Sequence, residues 1–471
     1  MIRRLIRSRW FFLGVGSFLL VAGILAQVEV RVGGRREGRV EEIASLRRRD
    51  DLNLLFILID TLRADRLSCY GHARPTSPTL DALAESGVRF EQTLAQSSFT
   101  KVSMASLWTG LYPVRTGVLR YQHALPSEAT LPAEILKEAG FRTAGIWRNG
   151  WVAPNFGFHQ GFDLYQRPAP GSRPEQPDER NPSAPRLAGS DYDATESARE
   201  FLRAVGGERW FLYLHLMDVH QYVYDESSAK FGTSYSDIYD NAIHWVDRNV
   251  EALLAELQEL DLADRTVVVV ASDHGEAFYE HKLEGHARNL YREVTETPFI
   301  LSLPFRLEPG VVVRSPIENV DVWPTLLDLL GLPPLPDTDG QSRVPLIQQA
   351  ANGQQAADGT RPRFAHLDRT WGRIGIEPDP IVAVTSGPLR LIHPANRPGA
   401  SELFDHATDP REQEDIARRE PQAVAPLAEH ATSYLASPPA PWGKAAEVEV
   451  DELNLGQLRA LGYVVGKEDE K

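Results

Sequence analysis

Four short runs of almost uninterrupted apolar residues constrain the fold of this chain more than any other sequence feature. They are residues 52–59, Trp210–Leu216, Thr266–Ala271 and residues 298–303. A continuous apolar run of this length predicts a strand that is buried on both faces, as in a parallel sheet covered by helices. Helical patterns lie between the runs, at Pro78–Glu85 and from Tyr235 onward. Strands that alternate with helices predict an α/β fold with a mixed, mostly parallel sheet.

The chain begins with a segment typical of export. Arg3, Arg4, Arg7 and Arg9 precede an uncharged apolar run at residues 10–26. This run is near the lower length limit for spanning a bilayer and somewhat long for a signal-peptide core, so an anchor and a cleaved signal both stay open. We expect an extracytoplasmic protein, periplasmic or at the cell surface, that is anchored to the membrane by one N-terminal helix or secreted after cleavage. The alternative is a buried core helix.

The charge is unevenly distributed along the chain. The net charge is -15, but residues 1–50 contribute +6 through 11 arginines and 5 acidic residues, so the remaining residues carry -21. An acidic body argues against nucleic acid as the partner and leaves room for a small anionic substrate in a local pocket. Cys69 is the single cysteine, which excludes an intramolecular disulfide framework.

Three regions are predicted from the composition. Residues 1–51 hold the anchor or signal and a charged stalk, residues 52–333 a large domain, and residues 334–471 a small C-terminal subdomain. The boundary falls at residues 331–339, which are dense in Pro and Asp.

Shorter features complete this division. Residues 168–185 are rich in Pro, Gly, Ser and charge and predict a long surface loop. Residues 381–385 and 389–392 predict short strands of the C-terminal subdomain, and residues 453–463 predict a closing helix.

Two polar clusters directly follow predicted strands. Asp60 ends the first apolar run, and Asp273-His274-Gly275-Glu276 comes just after Thr266–Ala271. Ligands of open parallel sheets bind at the carboxyl ends of the strands, so we expect the two clusters to converge. Asp and His are suitable ligands for a divalent metal. Taken alone, the Asp-His pair fits a polar turn equally well, and Asp60 fits a helix N-cap or turn better.

A third polar segment precedes a short predicted helix. The segment runs from Ser97 to Ser103, and the helix from Ser103 to Trp108, stopping before Gly110. Thr100 or Ser103 fits a capping role there. A hydroxyl at a helix N-terminus also lies near backbone N–H groups that favour an alkoxide and an anionic substrate.

Seven motifs in one order carry a resemblance to a known family. They are residues 53–71 with Asp60, Arg63 and Asp65; residues 76–84; residues 105–113; Asp218-Val-His220; Ser272 to Glu276; Gly285-His286 with Leu290-Tyr291; and residues 402–405 with Asp409-Pro410. Together they resemble the sulfatase family of the alkaline-phosphatase superfamily, over about residues 52 to 462. The resemblance implies an alkaline-phosphatase-like three-layer sandwich, with a mostly parallel central sheet and a small C-terminal α+β subdomain.

The resemblance also implies a metal centre. Asp60, Asp273 and His274 match the family's metal ligands, and the side-chain oxygen of Thr100 completes the shell. A donor set of carboxylates, imidazole and hydroxyl favours Mn²⁺ or Zn²⁺, with Ca²⁺ or Mg²⁺ as the alternatives. The family's second aspartate after the first strand is Thr61 here, which again favours one transition metal.

Other matched positions imply contacts to the substrate. His220 and His286 match positions that contact the transferred group or the leaving group, and either suits a general acid. Together they also fit a second metal. Lys101, beside the nucleophile, fits pairing with the anion or a solvated lysine equally well. His215 and His244 are expected to be structural or surface residues.

The sequence departs from the family at the nucleophile. Sulfatases proper carry Cys or Ser in a Cys-x-Pro-x-Arg motif, which is converted to formylglycine. Here Thr100 stands at the Cys position, Val102 at Pro and Met104 at Arg. We therefore expect no formylglycine. Threonine at this position resembles the phosphotransferase and phosphodiesterase branches, including lipoteichoic-acid synthase and phosphoethanolamine transferases.

These features predict a metal-dependent hydrolase or transferase. It acts on small anionic esters, phosphate mono- or diesters or phosphonates, through a covalent intermediate on Thr100. The alternatives are a sulfuric ester hydrolase that works without formylglycine and a catalytically inactive, sulfatase-like binding protein.

Overall fold

The computed structural model describes residues 35–168, 189–354, 361–373 and 375–450. The apolar run at residues 10–26, the predicted closing helix at 453–463 and nearly all of the predicted surface loop at 168–185 lie outside these ranges. Within the described ranges, no helix has both the length and the apolar character needed to cross a membrane.

The strands are numbered β1 to β17 in chain order. They span Asn53–Ile59, Val88–Leu94, His123–Ala124, Arg142–Ile146, Leu164–Gln166, Trp210–Leu216, Thr266–Ala271, Ala277–Phe278, Glu284–Gly285, Glu296–Ser302, Val311–Val313, Ile317–Glu318, Arg363–Asp368, Pro380–Ser386, Leu389–Pro394, Glu402–Asp405 and Ala446–Glu447.

The helices are numbered α1 to α11 in chain order. They span Pro78–Glu85, Thr100–Thr109, Pro113–Thr116, Pro132–Glu138, Asp191–Val205, Asp218–Gln221, Tyr235–Glu259, Arg292–Thr295, Val322–Leu329, Val344–Ala351 and Pro421–Leu435. Short 3₁₀ helices lie at Val40–Arg48, Ala64–Arg66, Ser68–Tyr70, Gly150–Val152, Pro154–Phe156, Glu226–Ser228, Ala263–Arg265, Asn319–Asp321 and Pro398–Ala400.

Within the described residues, the central sheet has nine strands, in the order β11-β2-β10-β7-β1-β6-β4-β5 with β12 also paired to β2. The block from β7 to β5 is parallel throughout. The carboxyl ends of β1, β4, β6 and β7 therefore meet at one edge. This is the edge at which an open α/β sheet binds its ligands.

Helices cover both faces of this sheet. Along β1, Leu54, Phe56 and Leu58 pack into one buried cluster, which includes side chains of α2 and α9. The alternate residues Leu55 and Ile57 pack into a second cluster with α1, α5 and α7. A strand that is buried on both faces needs an apolar residue at every position, which explains the unbroken run in the sequence. The predicted three-layer α/β architecture is confirmed.

Some details of the sheet differ from the prediction. The strand predicted at residues 298–303 is β10, and it runs antiparallel to both β7 and β2. Strands β2 and β4 have mixed burial or are short, so they lack the continuous apolar signature. An apolar run reports burial on both faces and not strand direction, so it does not distinguish β10 from its parallel neighbours.

The predicted charged stalk is wrong for the part of it that the structure describes. Val40–Arg48 form a 3₁₀ helix that buries Ile43 and Leu46 in the core beside α9. The backbone N–H of Arg36 donates a hydrogen bond to the carboxylate of Asp264. The many charged residues of this segment predict a solvated stalk. Ile43 and Leu46 are spaced three apart, however, which places both on one face of a helix.

The C-terminal part contains an antiparallel sheet in the order β13-β14-β15-β16. Helix α11 packs on one face of it, with Leu427, Ala431 and Tyr434 against Val382 and Leu403. Two short strands predicted from the sequence correspond to β14 and β15, and the predicted small α+β subdomain is confirmed.

Candidate active site

Four sequence-predicted residues come together at the carboxyl edge of the parallel strands. Asp60 follows β1, Asp273 and His274 follow β7, and Thr100 begins α2. All four side chains are fully buried. Thr100 Oγ1 lies 3.0 Å from His274 Nε2. The expected convergence of the two polar clusters is therefore seen, and the hydroxyl joins them.

The carboxylates and the imidazole form a set of donors suited to one cation. One ligand atom from each of Asp60, Asp273 and His274 can be chosen so that all three lie within 4.8 Å of one another. His274 Nε2 is 3.3 Å from Asp273 Oδ2 and 4.0 Å from Asp60 Oδ1. Neither of these two carboxylate oxygens has a hydrogen-bond partner among the described residues. Buried oxygens of this kind are costly unless a cation meets them, so the residues fit a divalent metal.

The electrostatics of the two carboxyl groups point the same way. Burial, together with the nearby charge of Asp60, raises the pKa of Asp273 to about 7. Burial acts on Asp60 too, but the hydrogen bond from His215 and the nearby imidazoles of His220 and His274 bring its pKa below the usual range. Two adjacent buried carboxylates resist double ionisation unless a positive charge lies between them.

The hydroxyl of Thr100 is presented by the first turn of α2. Phe99 occupies the N-cap position, and Thr100 is the first helical residue. The sequence expectation that Thr100 or Ser103 caps the helix is wrong, because Ser103 Oγ instead donates to the Asp273 carbonyl at 2.6 Å. The helix starts three residues earlier than predicted. Thr100 thus lies where backbone N–H groups and the helix dipole favour negative charge on oxygen.

The backbone beside Asp60 is strained. Thr61 has φ of 60°, a left-handed conformation that β-branched residues rarely adopt. Its N–H donates to Asp273 Oδ1 at 3.3 Å, and its carbonyl accepts from the Tyr239 hydroxyl at 2.6 Å. These bonds hold a conformation that places Asp60 and Asp273 side by side, and strain of this kind clusters at functional sites.

Two residues outside the predicted ligand set orient Asp60. Its Oδ2 accepts from Asn149 Nδ2 at 2.7 Å and lies 3.0 Å from His215 Nε2. The Tyr213 hydroxyl lies 2.7 Å from the other ring nitrogen of His215. His215 is buried, as expected for a structural residue. Its structural role is to hold the side chain of Asp60 in the site. The sequence did carry one signal for this role, because His215 is a polar residue inside an otherwise apolar strand. That strand, β6, pairs directly with β1, which ends at Asp60.

His220 and His286 lie beside this cluster. The ring of His286 is 4.5 Å from that of His274 and 4.9 Å from that of His220, measured between centroids. Burial lowers the pKa of His220 and brings that of His286 to about 4, which favours the neutral form of both imidazoles. The rings of His220, His286 and His274 thus lie next to one another, and His274 contacts Thr100.

Lys101 contacts a backbone carbonyl and two aromatic rings. Its ammonium donates to the backbone carbonyl of Tyr121 and lies 4.7 Å and 4.0 Å from the ring centroids of Trp151 and Phe156. The side chain is fully buried, and burial lowers its pKa well below the usual value. The amine is buried, so the solvated-lysine alternative is wrong, and pairing with a substrate anion stays a prediction.

Two buried arginines brace the loops that carry site residues. Arg148, next to Asn149, bonds to Asp191 and Asp218 and donates to Gln221 at 3.0 Å. This network anchors the turn α6, which bears His220. Arg63 donates to the Glu276 carbonyl at 2.9 Å and thereby links the loop after β1 to the loop after β7.

Comparisons with known proteins agree with this geometry. A family model described as Sulfatase matches residues 52–332, more than half of the chain. A second, described as N-sulphoglucosamine sulphohydrolase, C-terminal, matches residues 280–431. The first includes all four residues of the buried cluster.

Individual relatives include both sulfatases and a phosphonate hydrolase. The chain is 24% identical to an N-acetylgalactosamine-6-O-sulfatase of Bacteroides thetaiotaomicron, over 80% of this chain and 92% of that protein. It is 26% identical to an ulvan-active sulfatase of Formosa agariphila, over 77% and 76%. The solved phosphonate monoester hydrolase of Agrobacterium radiobacter has the same fold, with a TM-score of 0.65, 20% identity, and coverage of 82% of this chain and 95% of that one.

Proposed function

The chain belongs to the sulfatase family and is an ester-hydrolysing enzyme, and we propose that it acts on phosphate or phosphonate esters through a covalent intermediate on Thr100. The observation that carries the proposal is the position of Thr100 Oγ1, 3.0 Å from His274 Nε2 and beside two carboxylates whose facing oxygens lack hydrogen-bond partners among the described residues. A hydroxyl that shares a cation with these groups is an activated nucleophile.

The chemistry of threonine favours phosphorus over sulfur as the electrophile. A formylglycine hydrate releases sulfate by elimination from its second hydroxyl group. Thr100 has one hydroxyl, and Cys69 is the sole cysteine of the chain, so that route is closed. A phosphorylated Thr100 is resolved by in-line attack at phosphorus, by water in a hydrolase or by an alcohol in a transferase.

In this proposal Asp60, Asp273, His274 and Thr100 hold one divalent cation, with Mn²⁺ or Zn²⁺ favoured by the donor set. The bound cation supplies positive charge that favours the alkoxide form of the hydroxyl and offsets charge on the ester. Asn149 and His215 fix Asp60, leaving its Oδ1 directed at the cluster. His274 Nδ1 lies 2.9 Å from the Gly275 carbonyl and donates to it, so Nε2 keeps its lone pair towards Thr100.

A second candidate, hydrolysis of sulfate esters, is supported by the relatives. Two of them are an N-acetylgalactosamine-6-O-sulfatase and an ulvan-active sulfatase. In that case Thr100 would have to release its sulfate by attack at sulfur. The two candidates share the site and differ in the ester that it cleaves.

One comparison separates the candidates. The purified chain, loaded with Mn²⁺ or Zn²⁺, is assayed on a phosphate monoester, a phosphate diester, a phosphonate monoester and a sulfate ester that share 4-nitrophenol as leaving group. We expect the highest kcat/KM on a phosphorus ester, and acid-quenched samples should contain phosphorylated Thr100. A strong preference for the sulfate ester would overturn the proposal. Retained turnover in Thr100→Ala would overturn the nucleophile assignment in either candidate.

A further inference from the structure

A small hairpin places a carboxylate directly against His286. Strands β8 and β9 pair antiparallel, with Ala277 opposite Gly285. One step further along the same register, Glu276 and His286 face each other. The hairpin thus brings together two residues that are ten positions apart in the sequence.

Glu276 contacts the imidazole through both of its oxygens. His286 Nδ1 lies 3.2 Å from Oε1 and 3.3 Å from Oε2. The Tyr222 hydroxyl donates to Oε2 at 3.1 Å. Glu276 is 2% exposed, so its partners are protein groups and not bulk water. In its ionised form Glu276 offers only lone pairs, so the hydrogen of the neutral imidazole is then on Nδ1.

Hydrogen bonds to other parts of the chain hold the hairpin at its start and at its turn. Arg63 donates to the Glu276 carbonyl at 2.9 Å, at the start of β8. At its turn, His281 lies 2.8 Å from Glu293 Oε1 and 2.7 Å from the Glu412 carbonyl. The carboxylate that faces His286 is therefore mounted on a braced element, which suits a positioning task.

We propose that Glu276 is a positioning residue that fixes His286 in the tautomer with a hydrogen on Nδ1 and a lone pair on Nε2. The imidazole then presents Nε2 to accept a proton from the water whose oxygen attacks phosphorus. The bond from phosphorus to Thr100 Oγ1 breaks, the Thr100 oxygen keeps the electron pair and takes up a proton, and the phosphate or phosphonate is released. The ring lies 4.5 Å from that of His274, which itself contacts Thr100. This inference rests on the proposed covalent intermediate, and it assigns Glu276 to the hydrolysis of that intermediate and not to its formation.

The kinetic test uses Glu276→Ala and Glu276→Gln. In the alanine variant kcat and KM should fall together, with kcat lower by on the order of 10²-fold. Because the first step is spared, kcat/KM should stay unchanged and phosphorylated Thr100 should accumulate. Glutamine keeps an acceptor oxygen for Nδ1–H and should restore kcat to within about 10-fold of the wild type. Glu284→Ala, on the facing strand of the same hairpin, is the control for hairpin integrity.

A spectroscopic test needs no variant of Glu276 to fold. In the metal-loaded wild type labelled with ¹⁵N-histidine, the signals of His286, assigned by their loss in His286→Gln, should show a protonated Nδ1 and an unprotonated Nε2. The opposite tautomer would overturn the proposal, and so would a Glu276→Ala enzyme that loses kcat/KM without accumulating the intermediate. Turnover in Thr100→Ala would instead overturn the proposed function, so the two failures are distinguishable.

Discussion

His215 holds one oxygen of Asp60 and so directs the other towards the metal cluster. Nε2 of His215 lies 3.0 Å from Asp60 Oδ2, while Oδ1 has no hydrogen-bond partner among the described residues. Tyr213 in turn lies 2.7 Å from Nδ1 of His215. This chain of buried contacts runs from the strand core to the ligand, and such outer partners orient a ligand and tune its affinity.

His215→Gln should weaken metal binding. One amide group does not span Tyr213 and Asp60 at once as the two ring nitrogens of the imidazole do, so the carboxylate is held less firmly. We expect the dissociation constant for Zn²⁺ or Mn²⁺ to rise by about 10- to 100-fold, measured by competition with a chelating dye. His159→Gln, at an exposed position, is the matched control and should bind metal like the wild type. Equal affinities in the two variants would contradict the orienting role.

Thr100→Ala should abolish turnover and leave the fold intact. The residue contributes a single hydroxyl at the start of a helix whose N-cap is Phe99, so its loss removes the nucleophile without removing a cap. We expect kcat to fall by about 10⁴-fold or more, with a melting temperature within a few degrees of the wild type. Thr100→Ser keeps the hydroxyl and should retain measurable turnover. An inactive serine variant with normal metal content would argue that more than the hydroxyl is required.

Asp273→Asn should lose both the metal and the activity. The amide keeps the size of the side chain but removes one of two carboxylates in the cluster, and it directs an uncharged group at the cation. Metal content of the dialysed protein, measured by plasma mass spectrometry, should drop well below one ion per chain. Asp50→Asn, at an exposed position, is the control. Full occupancy in Asp273→Asn would remove Asp273 from the ligand set.

Much of the fold is readable from the sequence because its strands are buried on both faces. The β6 and β7 spans match their predictions residue for residue, since every position in them is apolar or enclosed. Strand β2 mixes buried positions with partly or fully exposed ones, and β4 begins with an exposed arginine, so neither forms a continuous run. The direction of β10 depends on pairings with β2 and β7, which an isolated run does not encode.

The site was predictable where a residue follows a strand directly, as Asp60, Asp273 and His274 do. Their convergence is a property of parallel topology. Asn149 and Glu276 were not predictable in their roles, because each acts through a contact that forms only in three dimensions. The contacts of Lys101 were not predictable either, since its place beside Thr100 in the sequence does not indicate that its ammonium meets the Tyr121 carbonyl and two aromatic rings.

Lys101→Met should leave turnover largely intact. The ammonium contacts the Tyr121 carbonyl and two aromatic rings, and methionine preserves most of the apolar stem that packs there. We expect kcat within about 10-fold of the wild type, with the main effect on the free energy of unfolding. A loss of kcat like that of Thr100→Ala, at unchanged melting temperature, would show that the amine reaches the substrate.

His281 should make stability depend on pH in a defined direction. Burial acts to lower the pKa of this imidazole, but its hydrogen bonds to the Glu293 carboxylate and the Glu412 carbonyl, with the charges of those two residues, raise it to about 9. Tyr291 stacks on the ring at 3.7 Å between centroids, and the Gln413 amide lies 3.4 Å from Nε2.

In the unfolded chain the same imidazole titrates near pH 6.5. A raised pKa means that the folded state holds the proton more tightly. The contribution of His281 to the free energy of unfolding is therefore complete below about pH 6.5 and is lost as the pH rises towards 9. The partly hydrated imidazole should contribute about 1 to 2 kcal/mol. Urea unfolding of wild type and His281→Leu should show a stability gap that is largest near pH 6 and shrinks by that amount near pH 9.5. His159→Gln should show no such change, and a gap that grows with pH would contradict the assignment.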